Sequence, residues 1–84
     1  MDVDRQKREV DRNYDAFMRM LSSLLSEHRD QYALMRTGEV VGFYNTPRQV
    51  LEAAAERFPD GIFSIQEVTD DPIDLGFWSH VAIH

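Results

Sequence analysis

The chain predicts an α+β domain, a long N-terminal helix followed by a β-β-α-β core with a three-stranded mixed sheet and room for an extra C-terminal edge strand. Three observations predict it. Apolar residues recur at alternating steps of four and three up to His28, two strand-forming runs flank Thr37-Gly38, and a capped helix start at Thr46-Pro47 leads into a third apolar run. The 84 residues suffice for one domain, 1–84, divided into a helix at 1–28, a core at 31–68 and a C-terminal segment at 69–84. A core of this size leaves little stability to spare.

For the helix, Val3, Lys7, Val10, Tyr14, Phe17, Leu21, Leu24 and His28 make the four-three line, and Met18 and Leu25 widen it. That is the spacing of a helix that packs against another helix. Its second half is expected to dock on the core, while the first half projects or meets a second copy; a solvated start before a shorter helix at 10–28 is the alternative. The pairs Asp4–Arg8, Arg5–Glu9, Lys7–Asp11 and Asp15–Arg19 stand at helical spacing and offer a few tenths of a kcal/mol each. Val10, Tyr14, Phe17, Leu21 and Leu24 are the predicted contact of a homodimer.

Gln31–Arg36 and Glu39–Tyr44 are rich in strand formers, and Gly38 supplies the positive φ of a tight hairpin turn. Asn45-Thr46-Pro47-Arg48-Gln49 then opens a helix. Thr46 caps it, Pro47 suits the first helical position and Gln49 completes a capping box. Val50, Leu51, Ala54 and Phe58 form its buried stripe, and Pro59-Asp60-Gly61 ends it. Ile62–Val68 is the third strand. The connection from Tyr44 to Ile62 is long enough for a crossover, which allows the second and third strands to be parallel. Residues 73–84 either pack across the domain or add an edge strand, because Phe77 and Trp78 are too apolar for an idle terminus.

In the hairpin, Ala33, Met35, Val41 and Phe43 share one parity, and Tyr32, Leu34, Val40 and Tyr44 the other. Both faces are therefore apolar, where a sheet open to water on one side alternates more cleanly. One crossover helix covers one face. The second half of the first helix, the Phe77-Trp78 segment, a second subunit or a partner protein must cover the other.

Composition narrows the function classes. Without cysteine there is neither a disulfide framework nor a thiolate metal site. No apolar run approaches the roughly 20 residues of a spanning helix, and the charged opening lacks a secretory pattern, so a cytoplasmic setting with no membrane contact is expected. The net charge of -6 is uneven, with -1 over residues 1–30 and -5 over residues 31–84. The acidic stretch from Glu52 to Asp74 repels phosphates, which disfavours direct nucleic acid binding and favours a basic protein partner.

Chemistry-bearing constellations are sparse. His80 and His84 could share a metal, but no third ligand is specified. His28 continues the helix line and suits a helix C-terminus. Asp70, Asp71 and Asp74 lack the spacing and closing glutamate of a calcium loop. Neither a phosphate-binding glycine loop nor a nucleophile-base pair stands out in the sequence, and no cofactor is predicted.

The residues Tyr32-Ala33-Leu34-Met35-Arg36-Thr37-Gly38-Glu39-Val40-Val41-Gly42, with Thr46, Val50-Leu51, Ala54-Ala55, Phe58, Phe63-Ser64-Ile65 and Val68, resemble a family of small bacterial domains of unknown function. The resemblance spans Glu27 to Val68, about half of the chain. It implies the ββαβ core and carries no catalytic residue. Together these readings predict a small, acidic, non-enzymatic protein-binding module, antitoxin-like or an accessory regulator. The expected partner surface is Tyr44, Glu52, Glu56, Asp60 and Trp78. The alternative is a phage-type inhibitor whose carboxylates imitate a nucleic acid backbone.

Overall fold

The computed structural model describes residues 3–70, with the element order α1 (Val3–His28), β1 (Tyr32–Arg36), β2 (Glu39–Tyr44), α2 (Pro47–Arg57) and β3 (Ser64–Glu67). The expectations for residues 71–84, among them the placement of Trp78, His80 and His84, lie outside the described residues.

The three strands are ordered β2-β1-β3, and β1 is antiparallel to both neighbours. β2 and β3 therefore run in the same direction, as a crossover through α2 requires, but β1 lies between them. Every pairing is antiparallel, which corrects the mixed sheet expected from the sequence. Placing the first strand of the hairpin in the centre gives β1 two partners and leaves one edge to each of the others.

Local chemistry explains the hairpin. Thr37 has φ 53° and Gly38 φ 80°, the positive values that a two-residue type I′ turn needs at both central positions. Glycine takes this conformation freely, whereas a β-branched threonine is strained in it. Two side chains of α1 hold the turn in place. The Glu9 carboxylate accepts the Thr37 N–H at 2.6 Å, and the Asn13 side-chain oxygen accepts the Gly38 N–H at 2.6 Å. Asn13 also donates to Glu9 at 3.1 Å and to the Met35 carbonyl at 3.3 Å.

In β2 the register shifts between Leu34 and Met35, so that Leu34 faces Gly42 while Met35 faces Val40. Val41 is the extra residue of a β-bulge. The bulge reverses the parity expected for two side chains: Val40 joins Ala33, Met35 and Phe43 on one face, and Val41 joins Tyr32, Leu34 and Tyr44 on the other. A Cβ on Gly42 would stand 2.8 Å from the Tyr44 hydroxyl, so Tyr44 lies back over Gly42, where only glycine leaves room.

Each face has its own helix. Phe17 and Leu24 of α1 pack with Ala33, Met35 and Val68, while Val50 and Ala54 of α2 pack with Leu34, Phe63 and Ile65 on the opposite side. Thus each apolar face of the sheet is covered by one of the chain's own helices, and of the covers left open for the second face the first helix is the one the structure shows. The expectation that the first half of α1 projects is corrected as well: Glu9 and Val10 are buried, and Gln6 donates to the Phe63 carbonyl at 2.9 Å.

The start of α2 follows its sequence signals. Thr46 is extended and accepts the Gln49 N–H at 3.1 Å, while the Gln49 side chain accepts the Asn45 N–H at 3.1 Å, which completes the capping box. At its far end, Asp60 pairs with Arg36 through two bonds of 3.1 Å, and the Arg36 guanidinium lies 4.8 Å from the centre of the Phe58 ring.

Candidate functional site

A helix of 3.6 residues per turn places residues seven apart on nearly one line. Val10, Phe17 and Leu24 form such a line, and all three are buried in the domain. The contact assigned to a dimer is therefore largely the core contact of α1 with the sheet, because a four-three spacing suits a helix on a sheet as well as a helix on a helix. Tyr14 and Leu21 are only half-buried. With Met18 and Leu25 they form a second line, rotated by roughly 70° from the first. Met18 is 42% exposed and is the exposed large hydrophobic residue among those described.

The hairpin turn lies against the other flank of α1. A Cβ on Gly38 would meet Arg12 at 3.7 Å and Ala16 at 3.9 Å, and both belong to the side of the helix away from Met18. On the second line Leu21 and Leu25 also pack against the core beneath α1, while Met18 stands exposed on the flank away from the hairpin turn. The C-terminal end of α1 is well anchored. Asp30 donates its N–H to the Val68 carbonyl at 2.8 Å, Val68 donates to the Gln31 carbonyl at 2.9 Å, and Arg29 pairs with Asp70 at 2.7 Å. The hydrogen bond to the Asp70 carboxylate, and then its charge, raise the pKa of Arg29 above its ordinary value. His28 stacks on Phe43 with ring centres 3.6 Å apart and holds the Gln31 side chain at 2.7 Å, so its imidazole is engaged within the fold.

The predicted partner residues do not form one surface. Tyr44 is half-buried and packed over Gly42 within the α2-side cluster. Glu52 and Glu56 are exposed on α2, and Glu52 lies 3.8 Å from the Arg48 side chain. Asp60 is committed to the fold: the Ile62 N–H, then the Arg36 guanidinium, hold its carboxyl below the usual range. Of the acidic line, Asp60 is thus bound into the fold, Glu52 is paired with Arg48 on the surface of its own helix, and Glu56 is exposed. Since α1 and α2 cover opposite faces, the acids of α2 and the outer flank of α1 cannot meet one compact partner surface.

The pairs expected along α1 also resolve differently. Asp4–Arg8, Lys7–Asp11 and Asp15–Arg19 form no ion pair among the described residues, and one oxygen of Glu9 is occupied by Thr37 and Asn13. Exposed pairs of this kind contribute little even when formed.

Sequence reasoning missed a buried polar group under the first half of α1. Asn13, Ser64 and Gln66 are buried, and four side-chain atoms find no partner among the described residues: Gln6 Oε1, Ser64 Oγ, and both Oε1 and Nε2 of Gln66. A signal for Asn13 was present, since it stands between Val10 and Phe17 on the apolar side of the helix. Among the described residues no three His, Cys, Asp or Glu side chains gather as metal ligands, and no helix is long and apolar enough to cross a membrane. Comparison with family models, with curated proteins and with solved structures returned no match.

Proposed function

We propose that the protein is a small, non-enzymatic protein-binding module that meets its partner through the outer flank of α1. The observation that carries this reading is Met18, a methionine exposed beside half-buried Tyr14, Leu21 and Leu25 at the outer edge of the contact that α1 makes with the core. Methionine adapts its shape to irregular partner surfaces and is favoured at such contacts. The flank from Tyr14 to Leu25 is about 16 Å long. Four side chains over that length cover less than the roughly 800 Å² per partner of a stable complex, so the contact is a transient one. A second copy of the chain is the first candidate partner, because the four-three spacing pairs with itself. Nucleic acid mimicry is less well supported, since Asp60 is held by Arg36.

The test is site-specific photo-crosslinking in the native cell, with the reactive side chain at Ser22 beside Met18 and a control at Ala55 on α2. The expected result is one discrete adduct from Ser22, none from Ala55, and its loss when Met18→Asp is added. A contact centred on Met18 should lose about 2 kcal/mol, close to thirtyfold in affinity. Identical adduct patterns from the two positions, or an adduct indifferent to Met18→Asp, would overturn the proposal.

A further inference from the structure

We propose that Asp60-Gly61 is a latent modification site, a linkage that converts to isoaspartate once the Asp60 carboxylate is released, and that Arg36 keeps it closed in the folded chain. The site lies just beyond the end of α2 and shares no residue with the α1 flank.

The fold asks for both residues of the pair. Gly61 has φ 77°, a left-handed conformation that glycine enters freely and other residues enter at a cost. Asp60 closes the same turn, since its Oδ1 accepts the Ile62 N–H at 2.9 Å, two residues further on. In succession they are a reactive combination, because a glycine has no side chain to shield its amide nitrogen from the aspartyl carboxyl before it. No atom lies within 4 Å of the place where a Gly61 Cβ would stand, so the turn is open on that side. In the reaction the Gly61 nitrogen bonds to Asp60 Cγ, and its proton and the carboxyl hydroxyl leave as water, which closes a five-membered succinimide. Water then opens the ring. Attack at one carbonyl restores Asp60, and attack at the other leaves the main chain running through the aspartyl side chain. One water is lost and one regained, so no other reactant is required.

Three contacts oppose this in the folded chain. Arg36 holds both carboxylate oxygens at 3.1 Å, Oδ1 through Nη1 and Oδ2 through Nη2. The Ile62 bond turns Oδ1 toward the amide beyond Gly61, and the Gly61 N–H is itself donated to the Phe58 carbonyl at 3.0 Å. Ile62 and Arg36 also keep the carboxyl ionised, and an ionised carboxylate resists attack by a nucleophile. The Asp60 side chain is 43% exposed, so bonds rather than burial restrain it. Arg36 is the better fixed partner, with its guanidinium 4.8 Å from the centre of the Phe58 ring and its backbone at the end of the central strand. Closure therefore depends on Arg36 keeping its place between β1 and the end of α2.

The test holds the full chain warm at neutral pH as the native protein, as Arg36→Met, as Arg36→Lys, and as the native protein in urea. Samples taken over time are unfolded and digested with a protease that cuts before aspartate and not before isoaspartate. Mass spectrometry then gives the fraction resistant to cleavage before residue 60. Arg36→Met keeps the apolar stem on Phe58 and removes both bonds to Asp60. It is expected to retain its circular dichroism and to form isoaspartate roughly fivefold faster than the native chain, the scale of freeing one partly exposed two-bond pair. Arg36→Lys, which keeps the charge without the fork, should fall between the two, and the chain in urea should be the fastest of all. A native chain that converts as fast as in urea, or a folded Arg36→Met that converts no faster than the native chain, would overturn the proposal. If Arg36→Met fails to fold, the reading passes to Arg36→Lys, where a rate equal to the native one overturns it in the same way.

Discussion

Replacing Gln66 by methionine should stabilise the protein. Gln66 stands opposite Ala33 in the β1–β3 register, on the face covered by α1, with no exposed surface and, among the described residues, no partner for either amide atom. A buried donor or acceptor left unpaired costs about 1–3 kcal/mol, whereas an apolar group of the same shape carries no such penalty. Methionine matches the length of glutamine and adjusts to an irregular site. The gain from Gln66→Met is therefore about 2 kcal/mol, which corresponds to roughly 8–16 °C in Tm for a domain of this size. Urea unfolding followed by circular dichroism measures it directly, with a higher midpoint at an unchanged m value. A lower midpoint would refute the reasoning, because it would show that the amide is hydrogen-bonded in solution.

Three further substitutions test the hairpin and its anchors. Thr37→Asn should raise stability by about 1 kcal/mol in the same urea assay, since asparagine accepts the positive φ that strains threonine and keeps the N–H bonded to Glu9. Asn13→Ala should cost about 1–3 kcal/mol, because it leaves the Gly38 N–H without its acceptor, and hydrogen exchange at Gly38 should speed up accordingly. For Asp60, the folded carboxyl lies below its ordinary pKa, so its contribution is present above the ordinary carboxylate range and is lost as pH falls through the depressed value. The acid limb of a Tm-against-pH profile should flatten in Asp60→Asn; a limb of unchanged slope would show that Asp60 does not produce it.

Much of the fold was legible because its signals are local. Thr37-Gly38 sets the turn, Thr46-Pro47 with Gln49 sets the start of α2, and the four-three line sets α1; each acts within a few residues. The central position of β1 and the bulge at Val41 are decided by pairing between distant segments. For that reason the parity of Val40 and Val41, and the mixed character of the sheet, were misread. The candidate site was legible only in part. Heptad-like spacing does not distinguish a helix packed on a sheet from one packed on a second copy, so Phe17 and Leu24 were assigned to a dimer although they fill the core. Met18 and Leu25 widen that line in sequence, and only the packing of Phe17 with Ala33 and Met35 fixes which side of the helix is the inner one.

The proposed flank also limits how a partner could be held. Of its four side chains Leu21 and Leu25 already pack on the core, so on this reading Tyr14, Met18, Leu21 and Leu25 alone give too little contact and a partner must add contacts beyond them. Glu52 and Glu56 cannot supply them, because α2 lies across the sheet from α1. The charged outward side of α1, where Asp15 and Arg19 are exposed beside Met18 and carry both signs of charge, borders the flank directly. Charge reversal at Arg19 should therefore change the yield of the adduct formed from Ser22; a yield unchanged by it would show that this border takes no part.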